Sequence, residues 1–448
     1  MKKILPFLMA ILLILCVGCR NMSADTYIYD SGVSDVEDIV SAIESEITEK
    51  ENAGEVTASR ETSEYTDQGN DIFYGEIGKQ NVIVDSGIGY DDALQIKQAD
   101  VNTNGAKPLY YSYLSDTQKQ IYRFMKSAAD NMTEGLFLVG AVSGKESNRL
   151  SDITVAFRAV SCDNPQIFWL PNSYITSPDG SAVAFSYHKN GYDIDYNVSS
   201  NKRDSEQKKL NDLVTQIVSE AKKLGSRFEE ELYFHDWLCE NVDYGKDGTE
   251  NIYTAYGALV NGTAVCEGYS RAMQLLCDSA GITCTVVYGH SNGIGHMWNI
   301  INPGDGWYNL DVTWDDDAEH GVIRHAYFNV SDSVIKDDHT PFDAIADGKS
   351  YVSSDYFNIH LYNCGSMNYN YFEKKDLIFT DDMTHNACLV ANALKSSQTQ
   401  IEVMYKNSNT DYKSVLNELN NEIQKQDVYV SGYSNLGNAI VLWLTFFQ

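Results

Sequence analysis

The chain has 448 residues, 43% of them apolar and 21% charged, which fits two or three folded domains and excludes global disorder or a fibre. With 33 basic against 63 acidic side chains its formal net charge is −30. No basic footprint for nucleic acid is present, and docking on an anionic lipid surface is disfavoured.

Lys2 and Lys3 precede an almost wholly apolar run, Ile4 to Val17, broken only by Pro6. That run is shorter than the about 20 residues a membrane-spanning helix needs. It reads as a signal peptide over residues 1–19. Its end, Val17-Gly18-Cys19, resembles the bacterial lipoprotein signal, which implies lipidation of Cys19 and a membrane-held protein facing outside. Cys16 stands where that pattern prefers leucine, so plain secretion is the alternative. Residues 20–72 are rich in Ser, Thr, Glu and Asp and read as a solvated acidic tether. Val36, Ile39, Val40, Ile43 and Ile47 recur there at helical spacing.

Residues 73–204 read as an N-terminal α+β module. Ser115 is positioned to cap a helix over 117–131. Residues 153–160 read as a strand, and 182–187 with 192–198 read as a hairpin around Lys189-Asn190-Gly191. Residues 205–349 follow as the core. A helix is predicted over 205–223, ending at Gly225, and the next is capped by Ser226 and runs to about Asn241. Residues 350–448 read as a small C-terminal α/β module, with strands at 401–405, 428–433 and 439–447 and a helix at 412–425. The fold class expected for the whole is α+β.

The chemistry concentrates in the core. Thr263-Ala-Val-Cys266-Glu267-Gly268-Tyr269-Ser270-Arg271 opens a predicted helix that ends at Ala280 before Gly281, with Thr263 as its expected N-cap. Cys266 then lies in the first turn. The positive end of the helix dipole and unpaired backbone N–H groups favour thiolate there, so its pKa should fall below about 8.5. His296-Met-Trp298-Asn299 and Trp307-Tyr-Asn-Leu-Asp311 read as strands flanking Asn302-Pro303-Gly304-Asp305. A turn centred between Pro303 and Gly304 sets His296 directly opposite Asp311, on one face of the sheet. The carboxylate can then hold one ring nitrogen and leave the other for Cys266.

These runs, together with Tyr256-Gly-Ala-Leu-Val and Thr313-Trp-Asp after Asp311, resemble the bacterial transglutaminase-like family. The resemblance covers about residues 205–345 and implies a papain-like fold. It implies Cys266 as nucleophile, His296 as general base and acid, and Asp311 as orienter. It also implies an oxyanion hole made by the Cys266 backbone N–H and an upstream aromatic side chain, for which Tyr244 is preferred over Tyr256 and Trp237. The expected function is an extracytoplasmic thiol enzyme hydrolysing a protein or peptide amide, with cell-wall peptide a candidate substrate. A protein cross-linking transamidase and a non-catalytic binding lipoprotein are the alternatives.

No cofactor is expected. Asp315-Asp316-Asp317 lacks the glycine and glutamate of an EF-hand and reads as a solvated acidic turn, and no His/Cys spacing matches zinc. His290 lacks a cross-strand carboxylate, His235 reads as a packing residue, and Asp338-His339-Thr-Pro341 receives no role.

Overall fold

The computed structural model describes residues 27–28, 82–84, 108–133, 135–139, 146–171, 174–177, 180–185, 200–245, 251–317, 322–342, 360–396, 398–405, 412–423, 428–436 and 439–446. The signal peptide with Cys19, the helical pattern at 36–47 and the turn at 189–191 lie outside these residues. Among the described residues no helix is long and apolar enough to cross a membrane.

The chain forms two compact units: a larger one of Tyr65–Ile323 and Tyr327–Tyr369, and a smaller one of Met1–Glu64, Arg324–Ala326 and Asn370–Gln448. In chain order, β1 (Tyr27–Ile28) belongs to the smaller unit. The larger unit opens with β2 (Val82–Val84), α1 (Leu109–Tyr113), α2 (Asp116–Asp130) and β3 (Gly135–Leu138). It continues with α3 (Glu146–Asp163), β4 (Tyr174–Thr176) and β5 (Ala182–Phe185). Ser115 caps α2 as expected, in a reciprocal capping box with Gln118.

The strand expected at 153–160 is instead part of α3. Residues 153 to 160 are buried without interruption, so no polar face marks the helical period, and a short apolar run alone does not separate strand from buried helix. The end of α3 and helix α1 are bonded to the core. Arg271 Nη1 donates to Ser161 O at 2.8 Å, Gln274 Nε2 to Cys162 O at 2.8 Å, and Tyr110 Oη to Val286 O at 2.8 Å. The stretches 73–204 and 205–349, apart from Arg324–Ala326, therefore share one unit.

Next come α4 (Ser200–Ala221) and α5 (Arg227–Asn241), separated by Gly225 at φ +82°, with Ser226 accepting from Glu229 N. Then follow β6 (Asp243–Tyr244), β7 (Thr263–Ala264) and α6 (Cys266–Ala280), which Gly281 ends in the left-handed region. Strands β8 (Thr283–Ser291), β9 (Ile294–Asn302) and β10 (Tyr308–Leu310) lead into the short helix α7 (Val312–Asp315). Strands β11 (Asp316–Asp317) and β12 (Val322–Ile323), helix α8 (Asp332–Ile335) and β13 (His339–Pro341) complete the unit. The central sheet has the order β10-β9-β8-β13, all antiparallel. Tyr269, Met273 and Leu276 of α6 are buried, as are Val286, Trp298 and Ile300 of the sheet.

The smaller unit adds α9 (Tyr371–Lys375), β14 (Ile378–Phe379), α10 (Met383–Lys395), β15 (Gln400–Tyr405), α11 (Tyr412–Ile423), β16 (Val428–Leu436) and β17 (Ala439–Phe446). Its sheet order is β1-β16-β17-β15-β14, with a core that includes Val390, Val403, Leu416, Leu419, Ile440 and Leu442. Tyr27 and Ile28, from the stretch read as tether, pair with Tyr433 and Gly432.

One buried acid in the larger unit makes stability pH-dependent. Burial pushes Glu231 up to about 8, against a partial opposing pull from Asn329 and His235, and neither carboxylate oxygen has a well-formed hydrogen bond. The folded state therefore holds a proton that the unfolded chain releases near pH 4.5, and stability falls as pH rises from there through about 8. Glu231→Gln is expected to raise Tm by about 2–4 °C at pH 8 and to leave it nearly unchanged at pH 4.5, as read by calorimetry.

Candidate active site

Cys266 is the first residue of α6, buried, and preceded by Val265 in extended conformation. The cap differs from expectation. Thr263 is taken up in β7, paired with Asp243, and Val265 fills the N-cap position without a side-chain hydrogen bond. Val265 N instead donates to Ile252 O at 3.0 Å, which fixes the approach to the helix. At the far end of α6, Lys222 Nζ and Arg227 Nη1 each donate to Ala280 O at 2.8 Å, placing cations at the negative end of the dipole.

Ser270 joins the helix to the strand that carries His296. Its hydroxyl lies 2.9 Å from Cys266 O and 3.0 Å from Met297 O, while Asn299 Nδ2 donates to Ser270 O at 3.0 Å. These bonds set the Cys266 thiol within hydrogen-bonding reach of the His296 ring. Trp298 lies near-parallel to the ring, with centroids 6.2 Å apart.

His296 Nε2 and Asp311 Oδ2 are 2.6 Å apart. The route to this pair is not the predicted one. β9 and β10 pair Tyr308 with Ile301 and Leu310 with Asn299, so the turn is centred one residue later, between Gly304 and Asp305. Asn302 Oδ1 accepts from Gly304 N, and Gly304 sits at φ +139°, which lengthens the loop. A one-residue move of the centre shifts the register by two, which preserves the face but sets His296 and Asp311 diagonally. β10 ends at Leu310, and Asp311 becomes the N-cap of α7, with Oδ1 accepting from Thr313 N and Trp314 N. One carboxylate oxygen is held by the helix and the other faces the imidazole.

Burial works to lower the pKa of His296, but the Asp311 carboxylate and the hydrogen bonds to Asp311 and Cys266 overcome it and raise it to about 10. Burial likewise works to raise Asp311, and the two imidazoles at its Oδ2 hold it well below the usual carboxylate range. Both shifts favour the charged forms, an imidazolium facing a carboxylate.

The second of those imidazoles is His339, which received no role in the sequence analysis. His339 Nε2 lies 2.9 Å from the same Asp311 Oδ2, and its Nδ1 lies 2.5 Å from Asp338 Oδ1. It comes from β13, where it pairs with Ser291 of β8, 48 residues back in the chain, a pairing that no local pattern announces. His296, Asp311 and His339 bring one ligand-type atom each within 4.8 Å of one another. The 2.6 and 2.9 Å contacts are hydrogen-bond lengths, so a cation there would have to displace both bridging protons.

Two further expectations change. Asp315 is fully buried rather than solvated, accepting from Tyr327 N and facing His235 Nε2 at 3.2 Å. Asp316 Oδ2 lies 2.5 Å from the Tyr269 hydroxyl. His235, read from the sequence as a packing residue, is buried with a carboxylate at each ring nitrogen, Asp315 and Asp236. Burial opposes its charge, but both carboxylates raise it to about 10. His290 is exposed, edge-on to Phe342, and is not brought to Asp311. Tyr244 lies on β6, paired with Ala264 two residues before Cys266, and is partly exposed. Tyr256 is instead packed on Phe168 at 4.6 Å, and Trp237 is half-buried on α5. All cysteines in the described residues are free thiols, and of these Cys388 is exposed.

The sequence model of the Transglutaminase-like superfamily matches residues 211–312, which contain both Cys266 and His296 and end just past Asp311. Kyphoscoliosis peptidase of Mus musculus is 26% identical over 121 residues, covering 23% of this chain and 18% of that protein's length. A solved Cytophaga hutchinsonii protein assigned as a cysteine protease aligns at TM-score 0.22 and 21% identity, over 23% of this chain and 37% of that one. A solved TGase aligns at TM-score 0.25 and 17% identity, over 35% of this chain and 42% of that one. The chain thus spans under a fifth of the curated relative's length. Residues 211–312 carry a transglutaminase-like domain of mixed helices and sheets.

Proposed function

We propose that this protein is an extracytoplasmic thiol enzyme that hydrolyses a protein or peptide amide through Cys266, His296 and Asp311. The observation that carries the reading is the row Cys266–His296–Asp311, with the thiol at a helix N-terminus and the imidazole held from behind at 2.6 Å. The Cys266 thiolate attacks the amide carbonyl. A carbon–sulfur bond forms, the His296 imidazolium gives its proton to the leaving nitrogen, and the carbon–nitrogen bond breaks. Water, deprotonated by the now neutral His296, attacks the thioester carbonyl; the carbon–sulfur bond breaks, the acid product leaves, and the thiolate–imidazolium pair is restored. The first N–H groups of a helix have no intrahelical acceptor, which suits the α6 terminus to holding the oxyanion. Tyr244, next to the approach to Cys266, is proposed as the second donor. The same triad serves an amine acceptor, so transamidation is the competing outcome. A lipid on Cys19 would hold the enzyme at the outer face of the membrane, near cell-wall peptide.

The test incubates the purified protein and Cys266→Ala with an unstructured protein such as β-casein, with and without a labelled primary amine. New N-termini that depend on Cys266, without amine incorporation, are expected. Cys266-dependent amine incorporation would transfer the assignment to cross-linking, and no Cys266-dependent change in either readout would contradict the catalytic reading.

A further inference from the structure

The geometry points to His339 as a positioning residue that keeps Asp311 ionised and aimed at His296, as the second cation of an alternating charge row. This inference rests on the catalytic reading of Cys266 and His296. The row runs Asp338, His339, Asp311, His296, Cys266, with contacts of 2.5, 2.9 and 2.6 Å along its first four members.

Hydrogen bonding fixes the charge of His339. Both of its ring nitrogens face carboxylate oxygens. A neutral imidazole has one N–H, so one nitrogen lone pair would point at a carboxylate lone pair. Only the imidazolium donates to both. Burial works against that charge, and the hydrogen bonds to Asp311 and Asp338 outweigh it. The groups facing His339 are Asp338 beside it, Asp311 before α7, His296 on β9, and Tyr327, whose hydroxyl donates to Asp338. Its cross-strand neighbour on β8 is the uncharged Ser291. Three aromatic rings, Trp298, Trp314 and Tyr327, surround the imidazole with centroids 5.2, 5.4 and 5.3 Å away. In so dry a setting charges act on one another with little screening.

The sheet is built to permit this approach. Gly289 of β8 pairs with His296 on one side and Pro341 on the other. A Cβ there would lie 2.6 Å from the Trp298 ring and 2.4 Å from Thr340 O. The missing side chain lets the indole lie across the strand, between the two imidazoles' strands.

The consequence is directional. A cation at His339 favours loss of a proton from the thiol and from His296 alike, because both steps reduce positive charge near it. It thereby lets thiolate form at lower pH and keeps His296 from holding its proton too tightly to give up. Without the cation both steps move to higher pH.

The experiment measures the pH profile of Cys266 alkylation by iodoacetamide in the purified full chain. Wild type, His339→Gln, Asp338→Asn and His296→Ala are compared, with folding checked by near-ultraviolet circular dichroism. His339→Gln retains a hydrogen-bond donor but no charge. It is expected to shift the acid limb upward by about one pH unit, the scale of one poorly screened charge at this range. Asp338→Asn, which removes one of the carboxylates that keep His339 charged, should shift it the same way by less. Unmoved profiles in both folded variants would overturn the role of His339 while leaving the catalytic reading intact. A wild-type Cys266 whose reactivity does not depend on His296 would overturn both.

Discussion

Asp311→Asn is expected to lower the Cys266-dependent reaction about a thousandfold to ten-thousandfold and to cost about 3 kcal/mol of stability. The size of both effects follows from the number of groups that one buried carboxylate serves. Oδ2 faces His296 and His339, and Oδ1 caps α7 through Thr313 N and Trp314 N. If the amide keeps its oxygen on the helix, its NH₂ group turns toward two imidazole N–H donors. Each imidazole facing the NH₂ group must then give up its Nε2 proton or turn away, and His296 is no longer held as the cation facing the thiolate. Urea denaturation at neutral pH reads the stability loss as a lower midpoint with an unchanged slope. Stability within about 0.5 kcal/mol of wild type would mean that Asp311 does not carry the charge assigned to it.

Gly268→Ala is the second large effect. Gly268 lies in the first turn of α6, and a Cβ there would stand 2.4 Å from Ile252 O and 2.7 Å from the Ala264 Cβ. The first of these is backbone, and it is the same oxygen that accepts from Val265 N. The methyl group cannot be relieved by a rotamer change. It must push the 251–254 segment away from the helix and loosen the residue just before Cys266. A loss of about 3 kcal/mol is expected, at the upper end for overpacking, together with loss of Cys266 reactivity. Gly306→Ala is the control. The nearest atom to its added Cβ is the Tyr308 hydroxyl at 3.9 Å, an ordinary contact, so a change within about 0.5 kcal/mol is expected. Equal tolerance of both substitutions in thermal unfolding would contradict the packing described for α6.

These two residues also mark how far the sequence could be read. Elements with local punctuation were legible. Ser115 and Ser226 as caps, Gly225 and Gly281 as stops, and the strands near 401–405 and 428–433 all lie where local chemistry put them. What depended on burial was not. Residues 153–160 lost their helical signature because every side is covered, and Asp315 looked solvated because its partners, His235 and Tyr327 N, are far away in the chain. The His296–Asp311 pairing was legible in its face but not in its register, since a two-residue slip keeps parity and is decided by Asn302 and Gly304 in the loop. Thr263 looked like a cap because Ser and Thr often are, yet pairing with β6 took it first. His339 was the functional miss. Its neighbours Asp338 and Pro341 gave no sign of a site, and only the β13–β8 pairing brings it to Asp311.

Whether Cys266 and His296 form an activated pair is read by site-resolved alkylation from about pH 4 to about pH 9. Cys388 is the exposed comparator, and the buried Cys277 and Cys284 report on unfolding. Cys266 is expected to react rapidly well below pH 8 although its side chain is buried, and His296→Ala to remove this reactivity while leaving Cys388 unaffected. A Cys266 that stays inert in the folded protein, or that titrates like Cys388 with or without His296, would contradict it.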